Sequence, residues 1–368
     1  LGPALPGCIV VHPHLEGYAN PHLSGVGVAF KVAQALLGAE PAFLDGLLKL
    51  VAIGTIADMV PLAGENALLV KRGLAALGGT HGPGLAALLK AARIDGVPTA
   101  QQIAFGVAPR LNAVGRMGGA EDAVRLLLTR DAGEAARLAE RVEGLNLERR
   151  AVQKALQARL PASDGAAFDL VMEADAHKGV LGIVAGQRMR ESGRPTAVCA
   201  VLDGLAHCSL RAPEGYDLGE LLELARPFLR SGGGHRLAAG MSFEPSRLGF
   251  LRQTLLKGAE IQAARAEAPA VLLDGALEDI PEARDLARLE PFGQAFPPPL
   301  ARVEGEPLGP PQVFGEGHWR LRLKGLPGSL TWFSGPGQAL PEQGPLRVAA
   351  APEDHPRFGR SWRVERAL

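Results

Sequence analysis

The sequence predicts a multidomain α/β chain, helical at its start and β-rich at its end. Three observations carry that prediction. The first 130 residues are rich in Ala, Leu and Gly and repeat apolar residues at helical spacing. From Phe168 short apolar runs alternate with helical patterns, and after Pro269 helical periodicity gives way to short β-type runs between Gly and Pro turns. At 368 residues the chain can hold two or three domains, each with its own core.

The elements follow in order. Cys8 to Val11 is a short apolar run that reads as a buried strand. Ser24 to Leu37 reads as a helix opened by a Ser cap, with Val28, Val32 and Leu36 at helical spacing. Phe43 to Ile56 is an apolar helix that runs into Ala57-Asp58-Met59-Val60-Pro61, where the proline forces a stop. Gly78-Gly79 and Gly82-Pro83-Gly84 punctuate the helices that follow. Asp131 to Leu160 is the longest helical pattern, apolar at Leu138, Val142, Leu145, Val152, Leu156 and Leu160. Its other face is polar at Glu140, Glu143, Glu148, Arg149 and Arg150, and it reads as an interdomain strut. Strands are then expected at Phe168 to Met172, Thr196 to Leu202 and Leu205 to Arg211. Helices are expected at Val180 to Arg190, Leu218 to Leu229 and Ser246 to Arg265. Val313-Phe314, Trp319 to Leu323, Ser329 to Phe333, Leu346 to Ala350 and Trp362 to Val364 then suit a small barrel or sandwich.

A hydrophobic fraction of 47% with 21% charged residues is that of a soluble globular protein. Lys+Arg and Asp+Glu both count 39, which excludes an all-over basic coat and an acidic tail but leaves room for a local basic groove. Only eight of the bases are lysine; arginine is the better bidentate phosphate ligand, although genome composition explains the bias as well. Cys8, Cys199 and Cys208 are read as neither a disulfide framework nor a zinc site, which fits a reducing cytosol. No apolar run is long enough for a membrane span. The start, Leu1-Gly2-Pro3, reads as a piece cut from a longer chain.

Four places carry candidate chemistry. Asp58 stands where small apolar residues meet a proline turn, and a carboxylate in such company is costly unless paired or metal-bound. A helix-end Asp bonded to nearby backbone amides explains it equally. Arg110-Leu111-Asn112-Ala113-Val114-Gly115-Arg116 reads as a tight turn whose two arginines and Asn could grip one phosphate; solvated arginines on a loop are the plainer reading. Ser209 and Arg211 share one face of a strand and suit a terminal phosphate. Ser231-Gly232-Gly233-Gly234-His235 could turn its amides inward as an anion nest beside His235, or be a flexible turn. His177, His207, His318 and His355 stand alone and read as structural or surface residues.

In this order the motifs resemble those of the RecJ branch of the DHH phosphoesterases, over essentially the whole chain. Gly54 to Leu62 resembles the branch's fourth motif, whose aspartate, here Asp58, lies in a metal centre. Arg110 to Arg116 resembles the motif beside the scissile phosphate, and Ser24 to Lys31 the helix between the third and fourth motifs. His177 to Ala185 resembles the opening of the DHH-associated domain, and Ser209, Arg211 and Gly233-Gly234-His235 its substrate-holding residues. Leu289-Glu290-Pro291-Phe292-Gly293 resembles the segment leading into an OB-fold. The resemblance implies the C-terminal part of a DHH domain over 1–130, a linker helix over 131–165, a DHH-associated domain over 166–267 and an OB-like barrel over 268–368.

It further implies 5′→3′ exonuclease action on single-stranded DNA in repair and recombination, with Mn²⁺ or Mg²⁺ in a two-metal site. Asp58 would hold metal, while Asn112, Arg116 and Arg110 would neutralise the scissile phosphate. Ser209, Arg211, Gly233, Gly234 and His235 would hold the 5′ phosphate. Single-strand-binding protein and a helicase are implied partners in the cytoplasm, with no membrane. Trp319, Trp332, Phe333, Phe358 and Trp362 are the rings available for stacking, but most read as barrel core, with Trp319, between His318 and Arg320, the foremost exposed candidate. The chain departs from the family pattern in lacking the upstream Asp-x-Asp and Asp-His-His motifs, and in Arg236 and Leu237, where small residues are usual. Two-metal hydrolysis needs several ligands around ions about 3.5–4 Å apart, so the chain alone is expected to hydrolyse poorly. A phosphoesterase for short RNA or cyclic dinucleotides, or a catalytically inactive DNA-binding scaffold, remain the alternatives.

Overall fold

A computed structural model describes residues 7–15, 17–38, 41–265, 271–315, 317–333, 344–355 and 359–368. Leu1-Gly2-Pro3, Pro269 and Phe358 lie outside them. The helices are α1 (Gly25–Leu37), α2 (Pro41–Ala57), α3 (Gly64–Leu77), α4 (Pro83–Ala91), α5 (Ala100–Gln102), α6 (Ala108–Met117), α7 (Glu121–Leu128), α8 (Ala132–Arg159), α9 (Leu181–Ser192), α10 (Leu218–Ala225), α11 (Leu248–Arg265) and α12 (Ala283–Leu289). The strands are β1 (Asp169–Met172), β2 (Thr196–Leu202), β3 (Leu205–Arg211), β4 (Ser231–His235), β5 (Ala238–Phe243), β6 (Gly275–Ala276), β7 (Ala301–Gly305), β8 (Gln312–Phe314), β9 (His318–Leu321), β10 (Leu330–Trp332), β11 (Leu346–His355) and β12 (Gly359–Ala367). They form two compact units: Leu1–Thr80, Arg93–Ala108 and Val271–Leu368 make the first, His81–Ala92 and Pro109–Ala270 the second.

In the first unit the Ser24 hydroxyl accepts from the Gly27 amide at 3.3 Å, capping α1, and lies 2.9 Å from the buried Thr55 hydroxyl of α2. One serine thus both starts a helix and binds it to the next. The buried face of α1 is Gly27 and Phe30, the latter packing with Leu44, Leu48, Val51 and Leu69. The expected Val28 stripe turns outward at Val32 and Leu36. Cys8 to Val11, expected as a buried strand, is exposed and irregular; a strand needs a paired neighbour, and none of the described residues pairs with it. After α2 the Leu62 amide donates to the Gln294 carbonyl at 2.7 Å and Lys71 Nζ to the Arg288 carbonyl at 2.8 Å. The Gly54–Leu62 and Leu289–Gly293 motifs therefore meet.

The β-rich end is one sheet in the order β6-β7-β11-β12-β10-β9-β8, around Val303, Leu321, Leu330, Val348, Ala350 and Trp362. Two more strands form than the periodicity predicts: β6 and β7, the first only two residues long.

In the second unit a five-stranded sheet runs β1-β2-β3-β5-β4, antiparallel except for the β1–β2 pair. The expected limits of β2 and β3 match the observed ones. One face packs Leu210 and Phe243 against Leu218, Leu221, Leu251 and Leu255 from α10 and α11. The other packs Val198 and Ala200 against Leu181 and Val184 of α9 and Leu156 of α8. Arg188 of α9 donates to both carboxylate oxygens of the buried Asp169, at 2.9 and 3.1 Å, and to the Pro161 carbonyl at 2.9 Å. This ion pair locks α9 to β1.

Two expectations change here. Cys199 and Cys208 are bonded as a disulfide, with Cα atoms 4.0 Å apart, because the β2–β3 register sets them directly opposite each other in the core. The cysteines therefore do not mark a reducing compartment, and Cys8 alone is free. The long helix α8 is capped by Asp131, whose side chain accepts from the Glu134 amide at 2.6 Å. Ala135, Leu138, Ala139, Val142 and Asn146 are buried along it, so it is part of the unit's core rather than a bare strut.

Candidate functional site

The exposure pattern along β3 alternates strictly, with Ala206, Cys208 and Leu210 buried and His207, Ser209 and Arg211 half-buried on the α9 side. The register carries this face across the sheet. Ser209 lies opposite Gly240 of β5, which lies opposite Gly233 of β4; Arg211 lies opposite Ala238, which lies opposite His235. Residues directly opposite on neighbouring strands share a face. Ser209, Arg211, Gly233 and His235 thus border one patch, about 10 Å across at two strand spacings. Its middle row has only Gly240 and Ala238, so the floor is low. Neither a nest nor a flexible turn forms at Ser231 to His235: the segment is the exposed edge strand β4. An edge strand leaves alternate amides unpaired along its open side. Gly234 is required there, since its φ is +148° and a Cβ would lie 2.5 Å from Ala239 Cα. Arg236 pairs with Glu214 at 3.1 Å and Leu237 packs on the core, so both departures from small residues are accommodated.

The N-terminal turn of α9 overhangs this patch. A Cβ on Gly182 would stand 2.9 Å from Arg211 Nη2 and 3.5 Å from Ser209 Oγ, so only glycine leaves the guanidinium its place. One turn earlier a Cβ on Gly179 would stand 2.3 Å from the Arg116 carbonyl oxygen. Arg116 Nη1 in turn donates to the Gly179 carbonyl at 3.1 Å. His177 Nδ1 accepts from the Gly179 amide at 3.1 Å and caps the short turn before α9, a structural role as expected.

Arg110 to Arg116 is helical, not a turn: all seven residues lie within α6. Arg116 and Asn112 are exposed on that helix. Arg110 is not open in the same way, because its Nε lies 2.5 Å from Glu143 Oε2 and its Nη2 donates to Glu143 Oε1 at 3.1 Å.

Arg149 of α8 was hidden on what reads as a solvated polar face. Its Nη2 donates to Oδ1 of the fully buried Asn146 at 2.8 Å, and its Nη1 to Gln153 Oε1 at 2.9 Å. Burial, with Arg150 and Arg116 nearby, holds the Arg149 pKa below the usual arginine value. Burial and the nearby Arg116 do the same to Arg211, whose Nη1 donates only to the Leu210 carbonyl, at 2.7 Å. Among the described residues none of Arg116, Arg149 and Arg211 has a carboxylate partner. Arg116 lies in electrostatic reach of both Arg149 and Arg211; like charges so placed without a counter-charge raise each other's energy, and an anion relieves them.

Asp58, in the first unit, is exposed one residue beyond α2, so the expected apolar surroundings do not materialise. Its amide donates to the Gly54 carbonyl at 2.9 Å, and Met59 follows with φ 56°. Among the described residues no group of three His, Cys, Asp or Glu side chains could hold a metal ion. Asp58 by itself does not fit a two-metal centre. Most of the rings lie in or against the barrel core, as expected: Trp362 is buried, and Trp319 and Trp332 pack half-buried against that core; Phe333 rather than Trp319 is the exposed ring. Phe333 stands edge-on to His318 at 5.2 Å, His318 edge-on to Phe314 at 5.4 Å, and the Arg320 guanidinium lies 5.1 Å from the Phe314 ring centroid.

Residues 164–258, which hold β1 to β5 and the overhanging α9, match the DHHA1 domain family, so the second unit carries a DHH-associated domain. The chain is 38% identical over 326 residues to the single-stranded-DNA-specific exonuclease RecJ of Bacillus subtilis, covering 83% of this chain and 41% of that protein. It is 36% identical over 350 residues to the same enzyme of Thermus thermophilus, covering 91% and 50%. The crystal structure of Thermus thermophilus RecJ in complex with Mn²⁺ superposes with a TM-score of 0.84 at 32% identity, over 100% of this chain and 56% of that one. A second structure, exonuclease RecJ bound to manganese, is 34% identical over 73% of this chain and 69% of its own, with a TM-score of 0.60. The chain belongs to the RecJ family, and it spans about half the length of the curated relatives it matches. No helix among the described residues is long and apolar enough to cross a membrane.

Proposed function

We propose that the second unit receives the 5′-terminal phosphate of single-stranded DNA and presents the strand for 5′→3′ exonucleolytic hydrolysis by the whole protein. The observation that carries this is the convergence of Ser209, Arg211, Gly233 and His235 on one low-floored sheet face under the α9 N-terminus, beside guanidinium groups that have no carboxylate. A terminal phosphate offers more negative charge and more acceptors than an internucleotide one, and Arg211 with the Ser209 hydroxyl supplies donors of matching kind. Gly233 and Gly234 keep the β4 edge close to the strand, and the positive end of α9 adds to the field. In this reading Arg116 and Asn112 face the scissile phosphate, where positive charge stabilises the transition state. Arg110 is a positioning residue that fixes α6 to α8 through Glu143.

The relatives are named for single-stranded DNA, and two of the solved relatives hold Mn²⁺. We extend to this chain a divalent metal in the whole protein, to which Asp58 contributes one carboxylate, and work in DNA repair and recombination in the cytoplasm beside single-strand-binding protein and helicase. The 368-residue chain itself is a strand holder with little hydrolytic activity, since Asp58 stands without fellow ligands among the described residues. Binding of 5′-phosphorylated and 5′-hydroxyl oligothymidylate to the wild type and Arg211→Ala tests the reading. The wild type should prefer the phosphorylated end by about ten- to a hundredfold, and Arg211→Ala should lose that preference. Equal losses on both ends overturn the assignment. Tighter binding of cyclic dinucleotides than of long strands would favour the short-substrate phosphoesterase instead.

A further inference from the structure

The long helix α8 contributes a side chain that neither motif spacing nor the DHHA1 match assigns, since Arg149 lies outside residues 164–258. Its guanidinium is held from both sides by neutral amides, Asn146 Oδ1 at 2.8 Å and Gln153 Oε1 at 2.9 Å. The second of these is itself held: Gln153 Nε2 donates to Gln187 Oε1 at 3.3 Å, and Gln187 Nε2 donates to Glu191 Oε1 at 2.9 Å. Every amide in this relay is oriented by its neighbours, so the fork on α8 is fixed before any ligand arrives. Asn146 is completely buried, its Nδ2 has no partner among the described residues, and it spends its oxygen on Arg149. Burying an amide with one end unsatisfied is costly. So is holding a cation half-buried near Arg116 and Arg150 with no carboxylate beside it. A merely structural arginine has no need of either cost. Arg110 of α6, in the same unit, is matched to Glu143 in the ordinary way.

From this arrangement we infer that Arg149 is a preorganised ligand for an internucleotide phosphate, so that the strand is gripped by a second phosphate site built on α8 as well as at its terminus. This deepens the proposed function and rests on it. A guanidinium fixed in advance loses little freedom on binding, which is where its affinity comes from. It carries no base information, so the grip is independent of sequence.

The test is a scan of single neutral methylphosphonate linkages through the first four positions of a 5′-phosphorylated oligothymidylate, bound to the wild type and Arg149→Gln. The wild type should lose about tenfold at one linkage. Arg149→Gln should be about tenfold weaker on the all-phosphate strand and indifferent to the methylphosphonate at that linkage, with its 5′-phosphate preference intact. Its salt slope should fall by about 0.7, the value for one phosphate of a single strand. Arg149→Lys, which keeps the charge but loses the fork, should fall between the two and guards against misfolding of the Gln variant. If Arg149→Gln binds like the wild type, or stays sensitive at every linkage, this inference is overturned while the terminal pocket stands. If the wild type shows no preference for a 5′ phosphate, the proposed function fails first and takes this inference with it.

Discussion

Two sets of arginines in the second unit have opposite settings. Arg188 and Arg110 are matched to Asp169 and Glu143, and each ties one element to another. Arg116, Arg149 and Arg211 are matched only to carbonyl and amide oxygens. The first set balances its charge within the fold, as structural ion pairs do. The second leaves its charge for something outside the fold. The difference separates residues that hold the unit together from residues proposed to hold a ligand, and it does so without reference to any motif.

The sharpest way to break that comparison is to remove one member of each set and measure stability and binding together. Arg188→Ala leaves Asp169 buried without its partner and should cost about 3–5 kcal/mol in denaturant unfolding. Any loss of binding should follow only from unfolding. Arg211→Ala should do the reverse. It should cost about 1.5–3 kcal/mol of binding to a 5′-phosphorylated strand, with a melting temperature unchanged or raised, because like-charge repulsion with Arg116 is relieved. If Arg211→Ala unfolds the protein while Arg188→Ala does not, the two sets have been assigned the wrong way round.

A smaller effect is expected from filling the floor. Gly240→Val adds bulk between Ser209 and Gly233, where the nearest obstacle to a Cβ is the Cys208 carbonyl at 3.6 Å. Folding should be preserved, and terminal-phosphate binding should weaken by about 1–3 kcal/mol, the usual range for overfilling a fitted site; titration calorimetry reads it.

The smallest effect lies in the first unit, at the surface pair of Lys31 and Glu65, 3.1 Å apart. Burial would raise the Glu65 pKa, but hydrogen bonds from Lys31 and Tyr18 and the Lys31 charge outweigh it and hold it below the ordinary carboxylate value. A depressed folded-state pKa means stability that is present at neutral pH and lost as pH falls through that lowered value. Glu65→Gln should therefore cost about 0.5–1 kcal/mol at pH 7, and the gap to the wild type should close in acid.

Much of the patch proposed for the terminal phosphate is legible in the sequence because strand alternation is strict. Leu205 to Arg211 reads as a strand, and alternation alone sets Ser209 and Arg211 side by side. What alternation does not carry is register, and register is what brings Gly233 and His235 to the same face and sets Cys199 opposite Cys208. Arg149 is illegible for a related reason. Helical periodicity shows that it lies off the apolar stripe, but not that Asn146 and Gln153, at minus three and plus four, close on it from the same helix face. Arg110 to Arg116 misleads because Pro109 and Gly115 have the composition of a turn, yet both lie within a helix. Asp58 misleads through its neighbours: the residues before it are buried, but the helix ends in time to leave its carboxylate in water.

The carboxylate-free arginines of the second unit are proposed to hold a single strand by its phosphates, with Arg211 at the terminal one. A crystal structure of the 368-residue chain grown with 5′-phosphorylated oligothymidylate tests it most directly. The terminal phosphate is expected on the face shared by β3, β5 and β4, its oxygens within about 3 Å of the Ser209 hydroxyl and an Arg211 nitrogen. A strand bound with its 5′ end elsewhere, and that face left to solvent, would contradict it.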